Sequence, residues 1–494
     1  MTQAPERRRL LPMLGHVNGK RSPLTCELKC GSQCMTPDAN TSGNEYVHDV
    51  ISAAVSRRAA LGLGMAGAVT VGVVAATAQP AEATYAYWGQ GRARLDFTPI
   101  KPVDMTVDDL SVPKGYDWSP IIRWGDPLFY DSPEFDPKNQ TPEAQAKQFG
   151  FNSDYLDIIP DPNGLTGVLV NNHEYTNENT MFPAGYDKTN LTNMVKTAIQ
   201  AHGMSVVEIT RAKVGEPWTY VRGGARNRRI TLTTPFVVDG PAAGSYLLKT
   251  QDDPTGKRVL GTQNNCSGGV TPWGTVLSGE ENINNVLTAK ASPEATRYGI
   301  GTKPTSRRWD LVDPRWDGNN EGYENEINRF GWVVEIDPQD PSSTPVKHTS
   351  MGRFKHEGAN VYVAADGTVV AYSGDDQRFD YLYKFVSAKK HKQGDRRHNM
   401  TLLSEGDLYV AKFTGDSEKE IDGSGRLPSD GAFDGKGQWL PLVVGGKSKV
   451  QGMSVEDVLV HTRLAGDKVG ATKMDRPEDV EPNPHTGKVY VACT

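Results

Sequence analysis

The sequence has little of what identifies several common classes of protein. Its 494 residues include only five cysteines, and 60 acidic residues outnumber 54 basic ones, for a net charge of −6. A nucleic-acid scaffold needs an excess of basic residues, so no nucleic-acid partner is expected. With 23 % charged residues, the bulk of the chain is neither a polytopic membrane protein nor a disordered polymer, and we expect a soluble globular body.

Three widespread catalytic motifs are missing. The pairs His173-Glu174 and His356-Glu357 lack the second histidine that H-E-x-x-H requires, so zinc-peptidase chemistry has no support. The triplet at 446–448 ends like a phosphate-binding loop, but Pro441 stands where that motif needs its leading glycine. The chain also contains no G-x-S-x-G nucleophile elbow.

A long run of small apolar residues occurs near the front of the chain, at 59–78. It follows Arg57-Arg58, and Ala81-Glu82-Ala83 supplies a small-residue cleavage site. This order predicts a leader with a twin-arginine signal over residues 1–83. The twin-arginine export machinery is then a partner, and the protein is periplasmic or extracellular. Alternatively, the run remains as a membrane anchor and the protein is membrane-associated.

The leader also holds three of the five cysteines, Cys26, Cys30 and Cys34. Their spacing of four suits one face of a helix or an incomplete metal clip, and we treat them as removable sequence. The remaining chain has Cys266 and Cys493, which an exported protein could join in a disulfide or keep as free thiols.

Four segments of the remaining chain share the pattern of a β-hairpin. Each has two runs of β-branched and aromatic residues around a turn glycine, and the Asp366-Gly367 turn is the clearest. The four turn glycines are Gly167, Gly274, Gly367 and Gly487. Companion strands follow Gly331 and Gly406, and a helix is predicted at 190–203. Repeated small sheets predict an all-β dominated fold, a β-propeller with loop and helical insertions over residues 84–494.

Aligning these hairpins on their turns brings a thiol and several carboxylates to one face. The first strands begin after Cys266, Glu357 and Glu478, and the second strands end at Glu174, Glu280, Glu281 and Asp375. The start of one strand and the end of its antiparallel partner lie side by side. Clustered carboxylates stay ionised only with cations among them, and their oxygens suit Ca²⁺. A single thiolate among carboxylates favours iron over tetrahedral zinc.

Four short stretches of the sequence resemble motifs of the PhoX family of exported alkaline phosphatases. They are residues 171–175, 266–281, 353–359 and 475–479. The resemblance implies a propeller that holds two ferric ions and two or three calcium ions at one end of its axis. It also implies iron ligands at Cys266, Glu357 and Glu478, calcium ligands at Glu174, Glu280, Glu281 and Asp375, and a phosphate contact from Arg476.

The function implied by this resemblance is hydrolysis of phosphomonoesters. A metal-bridging oxide or hydroxide would attack the phosphorus. The metal ions would also make the local electrostatic potential positive, so that an acidic protein can bind an anionic substrate. We expect a monomer, with the propeller incomplete at the C-terminus. Two alternatives are a calcium-centred propeller lactonase, against which Cys266 speaks, and a non-catalytic calcium-binding propeller that binds a partner.

Overall fold

The computed structural model describes residues 28–30, 33, 37–47, 49–50, 97–104, 107, 109–414 and 435–494. The twin-arginine signal predicted at 56–83 lies outside these described residues, as do Cys26 and Cys34. None of the helices in the described ranges combines the length and apolar character needed to cross a bilayer.

Strands make up most of the regular structure. Strands β1 to β21 are, in chain order, Ser153–Pro160, Thr166–His173, Gly203–Thr210, Thr219–Tyr220, Arg228–Ile230, Pro235–Asp239, Arg258–Leu260, Asn265–Val270, Val276–Glu280, Thr288–Ala289, Asp317–Gly318, Val333–Ile336, Val346–His348, Asn360–Val363, Thr368–Gly374, Leu382–Lys390, Gly406–Thr414, Lys436–Val444, Lys447–Ser448, Pro477–Pro482 and Val489–Cys493.

Helices are short and are inserted between strands. Helices α1 to α7 are Pro142–Gln145, Glu178–Met181, Leu191–Ala201, Pro293–Arg297, Arg396–Asn399, Val455–Val460 and Thr462–Val469. Single 3₁₀ turns occur at Tyr246–Leu248, Ile283–Asn285, Trp309–Leu311, Pro314–Trp316, Glu326–Asn328 and Thr349–Met351. Helix α3 is the insertion predicted at 190–203, and it begins where the Asn190 side chain accepts a hydrogen bond from the Asn193 amide.

The four predicted hairpins are all present as antiparallel pairs: β1–β2, β8–β9, β14–β15 and β20–β21. Three of the predicted turn glycines, Gly274, Gly367 and Gly487, have the positive φ that such turns require. The prediction for the first turn was wrong by three residues. Gly164 has the positive φ there, whereas Gly167 lies within β2, opposite Pro160.

The sheets are arranged as in a β-propeller. Their strand orders are β1-β2-β3-β4 with β5 beside β3, then β7-β6-β13-β12-β9-β8, then β14-β15-β16-β17-β18-β19, and finally β20-β21. The first strand of each hairpin lies at the edge of its sheet. These edge strands contact one another in chain order, β1 with β8, β8 with β14 and β14 with β20. The four hairpins therefore surround one end of the molecule with their strand starts.

The apolar core lies between neighbouring sheets. Val168 and Val206 of the first sheet meet Val276 and Val334 of the second in one buried cluster. A larger cluster extends through the second and third sheets and includes Trp332. Burying each such side chain contributes about 1.5–3 kcal/mol, so packing between the sheets holds the strand starts in register.

Candidate metal centre

Three of the four hairpins begin with the same local backbone. The residue immediately before β1, β8 and β20 is left-handed, with φ of 55°, 47° and 39° at Asn152, Asn264 and Arg476. Each first strand then has a β-bulge within its opening residues. The side chains two positions after the left-handed residues are Asp154, Cys266 and Glu478. A bulge redirects a side chain out of the regular pleat. Here each bulge directs one side chain that can bind a metal toward the same end of the propeller.

Neighbouring sheets are in direct contact close to these potential ligands. The Asn172 amide donates to the carbonyl of Cys266 on the next sheet. Gly279 lies against the His356 carbonyl, which a side-chain Cβ at that position would approach to 2.1 Å. The glycine thus permits the segment before Glu357 to come into contact with the end of β9.

The thiol and carboxylates of three sheets meet in a single cluster. The Cys266 thiol donates to Glu357 Oε1 at 3.0 Å. Ligand atoms of Asp154, Glu174 and Cys266 lie within 4.8 Å of one another, and those of Cys266, Glu281 and Glu357 do so as well. Cys266 therefore joins two adjacent groups of potential metal ligands. It forms no disulfide with Cys493, since Cys266 is buried and Cys493 is exposed.

The cluster is buried, and burial opposes its ionisation. Removal from water raises the pKa of the Glu174 carboxyl to about 7 and holds the pKa values of Glu281, Glu357 and the Cys266 thiol well above their usual ranges. Both oxygens of Glu281 and Oε2 of Glu357 accept no hydrogen bond from the residues that the structure describes. Buried oxygens without donors fit direct coordination of cations, so the donor set suits the metals that the sequence predicts.

A lysine from the N-terminal segment lies within this cluster. The Lys29 ammonium is 3.2 Å from Glu174 Oε1, 3.7 Å from Cys266 Sγ, 3.8 Å from Glu357 Oε1 and 3.9 Å from Glu281 Oε2. Burial alone would lower the pKa of Lys29, but the surrounding acids, Cys266 foremost, raise it well above its usual value. Lys29 therefore carries a positive charge among the acids.

The arginine predicted to contact phosphate lies beside the cluster. The Arg476 guanidinium is 2.5 Å from Asp376 Oδ2 and 3.0 Å from Glu478 Oε1, and it donates to Thr494 Oγ1 at 3.1 Å. Burial would raise the pKa of Asp376, yet Arg476 holds it below its ordinary value. Two carboxylates thus fix the orientation of this guanidinium at the edge of the acidic group.

Comparisons with known proteins identify the family of the chain. A family model described as alkaline phosphatase PhoX matches residues 95–494. The chain belongs to the PhoX family of alkaline phosphatases. Pseudomonas fluorescens PhoX, solved in complex with vanadate, a transition state analogue, is 41 % identical with a TM-score of 0.70. The match covers 77 % of this PhoX chain and 65 % of the P. fluorescens chain. No curated protein matches.

Two predicted ligands of this PhoX chain lie outside the cluster. Glu280 pairs with the buried Lys347 ammonium at 2.6 Å and accepts hydrogen bonds from the Gly331 and Trp332 amides. Asp375 accepts hydrogen bonds from Nε and Nη2 of the buried Arg463 guanidinium. Of the predicted ligands, the structure brings four together: Cys266, Glu357, Glu174 and Glu281. Glu478 lies beside this cluster and contacts Arg476. Glu280 and Asp375 have other partners. Calcium ligation by these two remains a prediction.

Several residues of the site were missed from the sequence. Asp154 occupies in the first hairpin the position that Cys266 and Glu478 occupy in theirs, so the hairpin alignment could have found it. Asp376, rather than Asp375, faces Arg476. Lys355 donates to Asn282 Oδ1 at 2.9 Å, and burial lowers its pKa to about 8. No local pattern distinguishes this lysine from an ordinary surface residue.

Proposed function

We propose that this chain is a metal-dependent phosphatase that hydrolyses phosphomonoesters. One observation carries the proposal: a buried thiol and carboxylates from three separate sheets form two groups whose ligand atoms lie within 4.8 Å of one another, with oxygens that accept no hydrogen bond from the described residues. Family membership and the vanadate complex of the P. fluorescens relative support phosphoryl chemistry.

The donor set suggests how the metals are divided. Cys266, Glu357 and Glu478 would hold two ferric ions, since a thiolate with carboxylates suits iron. Glu174 and Glu281, joined by Asp154, would hold two or three calcium ions through oxygen. When bound, these ions supply the positive charge that neutralises the phosphoryl oxygens and orients them for in-line displacement.

The chain's own residues would bind and orient the substrate. Arg476 presents a planar fork that suits two phosphate oxygens, and Asp376 and Glu478 fix that fork before substrate arrives. Holding a charged group in place beforehand lowers the cost of orienting it in the transition state. We further propose that the protein is exported by the twin-arginine route and acts as a monomer.

The test of this proposal replaces Cys266, whose thiol belongs to both groups of potential metal ligands. Purified Cys266→Ser should lose its iron, and its hydrolysis of p-nitrophenyl phosphate should fall by about 100-fold or more, as expected when metal ligation is damaged. Cys493→Ser changes an exposed cysteine and should retain both iron and activity. Metal analysis and the visible absorption of a thiolate–iron bond are measured beside the rate. Full iron content with full activity in Cys266→Ser would contradict the proposal.

A further inference from the structure

The segment that carries Lys29 is fixed to the propeller on both sides of that residue. Asn285 Nδ2 donates to the Lys29 carbonyl, and Arg307 donates to the carbonyl of Leu28. On the other side, the Lys355 ammonium donates to Gln33 Oε1. These contacts hold the backbone so that the Lys29 side chain, only 9 % exposed, extends into the acid cluster.

A second group of contacts holds the segment further along. Asn40 Nδ2 donates to the Phe379 carbonyl at 2.7 Å and to the Tyr381 hydroxyl at 3.0 Å. The backbone then pairs with Lys473, whose amide donates to the Glu45 carbonyl at 2.8 Å. Since Lys473 lies three residues before Arg476, the segment follows the same part of the propeller that supplies the phosphate-binding candidate.

The segment also covers Arg476, the residue predicted to bind phosphate. Cys30 and Gln33 line one small cavity together with Asp376 and Arg476. A larger cavity of about 490 Å³ lies between Gln33 and Asp38 of the segment and Asn285 and Arg307 of the propeller. A substrate that approached Arg476 through these spaces would meet the segment.

One ammonium is a weak counter-ion for this group of acids. Lys29 brings a single positive charge to Cys266 and three carboxylates. Coulomb attraction scales with charge, so a divalent or trivalent ion attracts each carboxylate about two to three times as strongly at the same distance. The ammonium can therefore hold the acids together and still yield to the metals.

We propose that the N-terminal segment, whose described residues are 28–30, 33 and 37–47, is an intramolecular plug whose Lys29 ammonium occupies a cation position of the metal centre. The plug lowers the repulsion among the acids before metal is bound, covers Arg476, and is displaced by multivalent cations. This inference rests on the proposed metal centre. Because these residues belong to the predicted leader, the plug acts in the full-length precursor, before the leader is removed, and gives the leader a role inside the site as well as in targeting.

The first test labels lysines in the purified full-length chain, whose N-terminus is verified by intact mass. Acetylation by an activated ester is followed by mass spectrometry, with the exposed Lys101 as internal reference. In the chelator-treated chain, Lys29 should react at least tenfold more slowly than Lys101. Addition of calcium chloride and a ferric salt should bring the two rates together. Equal rates before metal is added would overturn the plug.

The second test measures competition directly. Calcium is titrated into the metal-free full-length chain and its variants, and its dissociation constant is measured by calorimetry. Lys29→Gln should bind calcium about tenfold more tightly than the unaltered chain, whereas Lys101→Gln should not differ. Equal affinity in all three would refute the plug and leave the metal centre intact. Calcium binding by none of them would refute the proposed centre and the plug with it, so the two failures are distinguishable.

Discussion

At the residue scale, adjacent acids of this protein have opposite surroundings. Glu280 faces Lys347 and two backbone amides, whereas the neighbouring Glu281 faces Cys266 and Glu357. Successive side chains of a strand point to opposite sides, so one position decides whether an acid stabilises the fold or enters the candidate metal centre.

This difference gives a prediction for the buried pair of Glu280 and Lys347. Lys347→Met removes the ammonium and leaves a buried carboxylate without its cation, so the free energy of unfolding should fall by about 3–5 kcal/mol. Iron and calcium content should be unchanged. Adding Glu280→Gln to Lys347→Met should recover most of the stability in urea denaturation. A loss of calcium in Glu280→Gln alone would instead support the ligand role predicted for Glu280.

At the scale of elements, the ligand-bearing strand starts depend on close contact between sheets. Gly279 of β9 leaves room for the His356 carbonyl, and His356 precedes Glu357. A methyl group at this position would displace the segment that sets the distance between Glu357 and Cys266.

Gly279→Ala should therefore affect both stability and metal content. A Cβ at 2.1 Å from a backbone oxygen forces a shift that costs about 1–3 kcal/mol, and the displaced Glu357 should lower iron content by at least half. The matched control is Gly301→Ala, where a Cβ meets nothing within 4 Å. Thermal unfolding and metal analysis compare the two variants. Normal iron content in Gly279→Ala would show that the contact between the sheets is dispensable.

At the scale of the whole molecule, the cluster connects three sheets through side chains that resist ionisation. Burial raises the pKa of Glu174 to about 7 in the folded state, above the ordinary value near 4.3 for a glutamate. An acid whose folded pKa is raised costs stability once the pH exceeds its unfolded pKa, because the unfolded chain loses the proton first.

The metal-free protein should therefore lose stability as the pH rises from about 4.5 to 7. The contribution of Glu174 is on the order of 3 kcal/mol, and Glu174→Gln should make the stability curve flatter over this range. Urea denaturation of chelator-treated protein measures the curve. Bound metal should remove the decline, with proton release on binding. An equally steep decline in Glu174→Gln would assign the effect to other groups.

The sequence predicted much of this site because hairpins leave a local signal. Alternating β-branched residues around glycine turns located all four hairpins, and the register of those hairpins by itself predicted that Cys266 and Glu357 lie together. Asp154 was not selected, although its hairpin position matches those of Cys266 and Glu478, and Asp376 was not selected because the sequence does not show which of two adjacent aspartates faces Arg476. Lys29 was missed for another reason: its acidic partners are distant along the chain, and nothing near it in the sequence indicates them.

The recurring strand start also bears on how such a centre can change over evolutionary time. Asn152, Asn264 and Arg476 each introduce one side chain by the same backbone device, two positions before Asp154, Cys266 and Glu478. Duplicating a hairpin therefore duplicates a donor position, and one amino-acid substitution at that position can exchange a hard oxygen donor for a softer sulfur. Ion preference could drift one hairpin at a time while the other hairpins keep their roles.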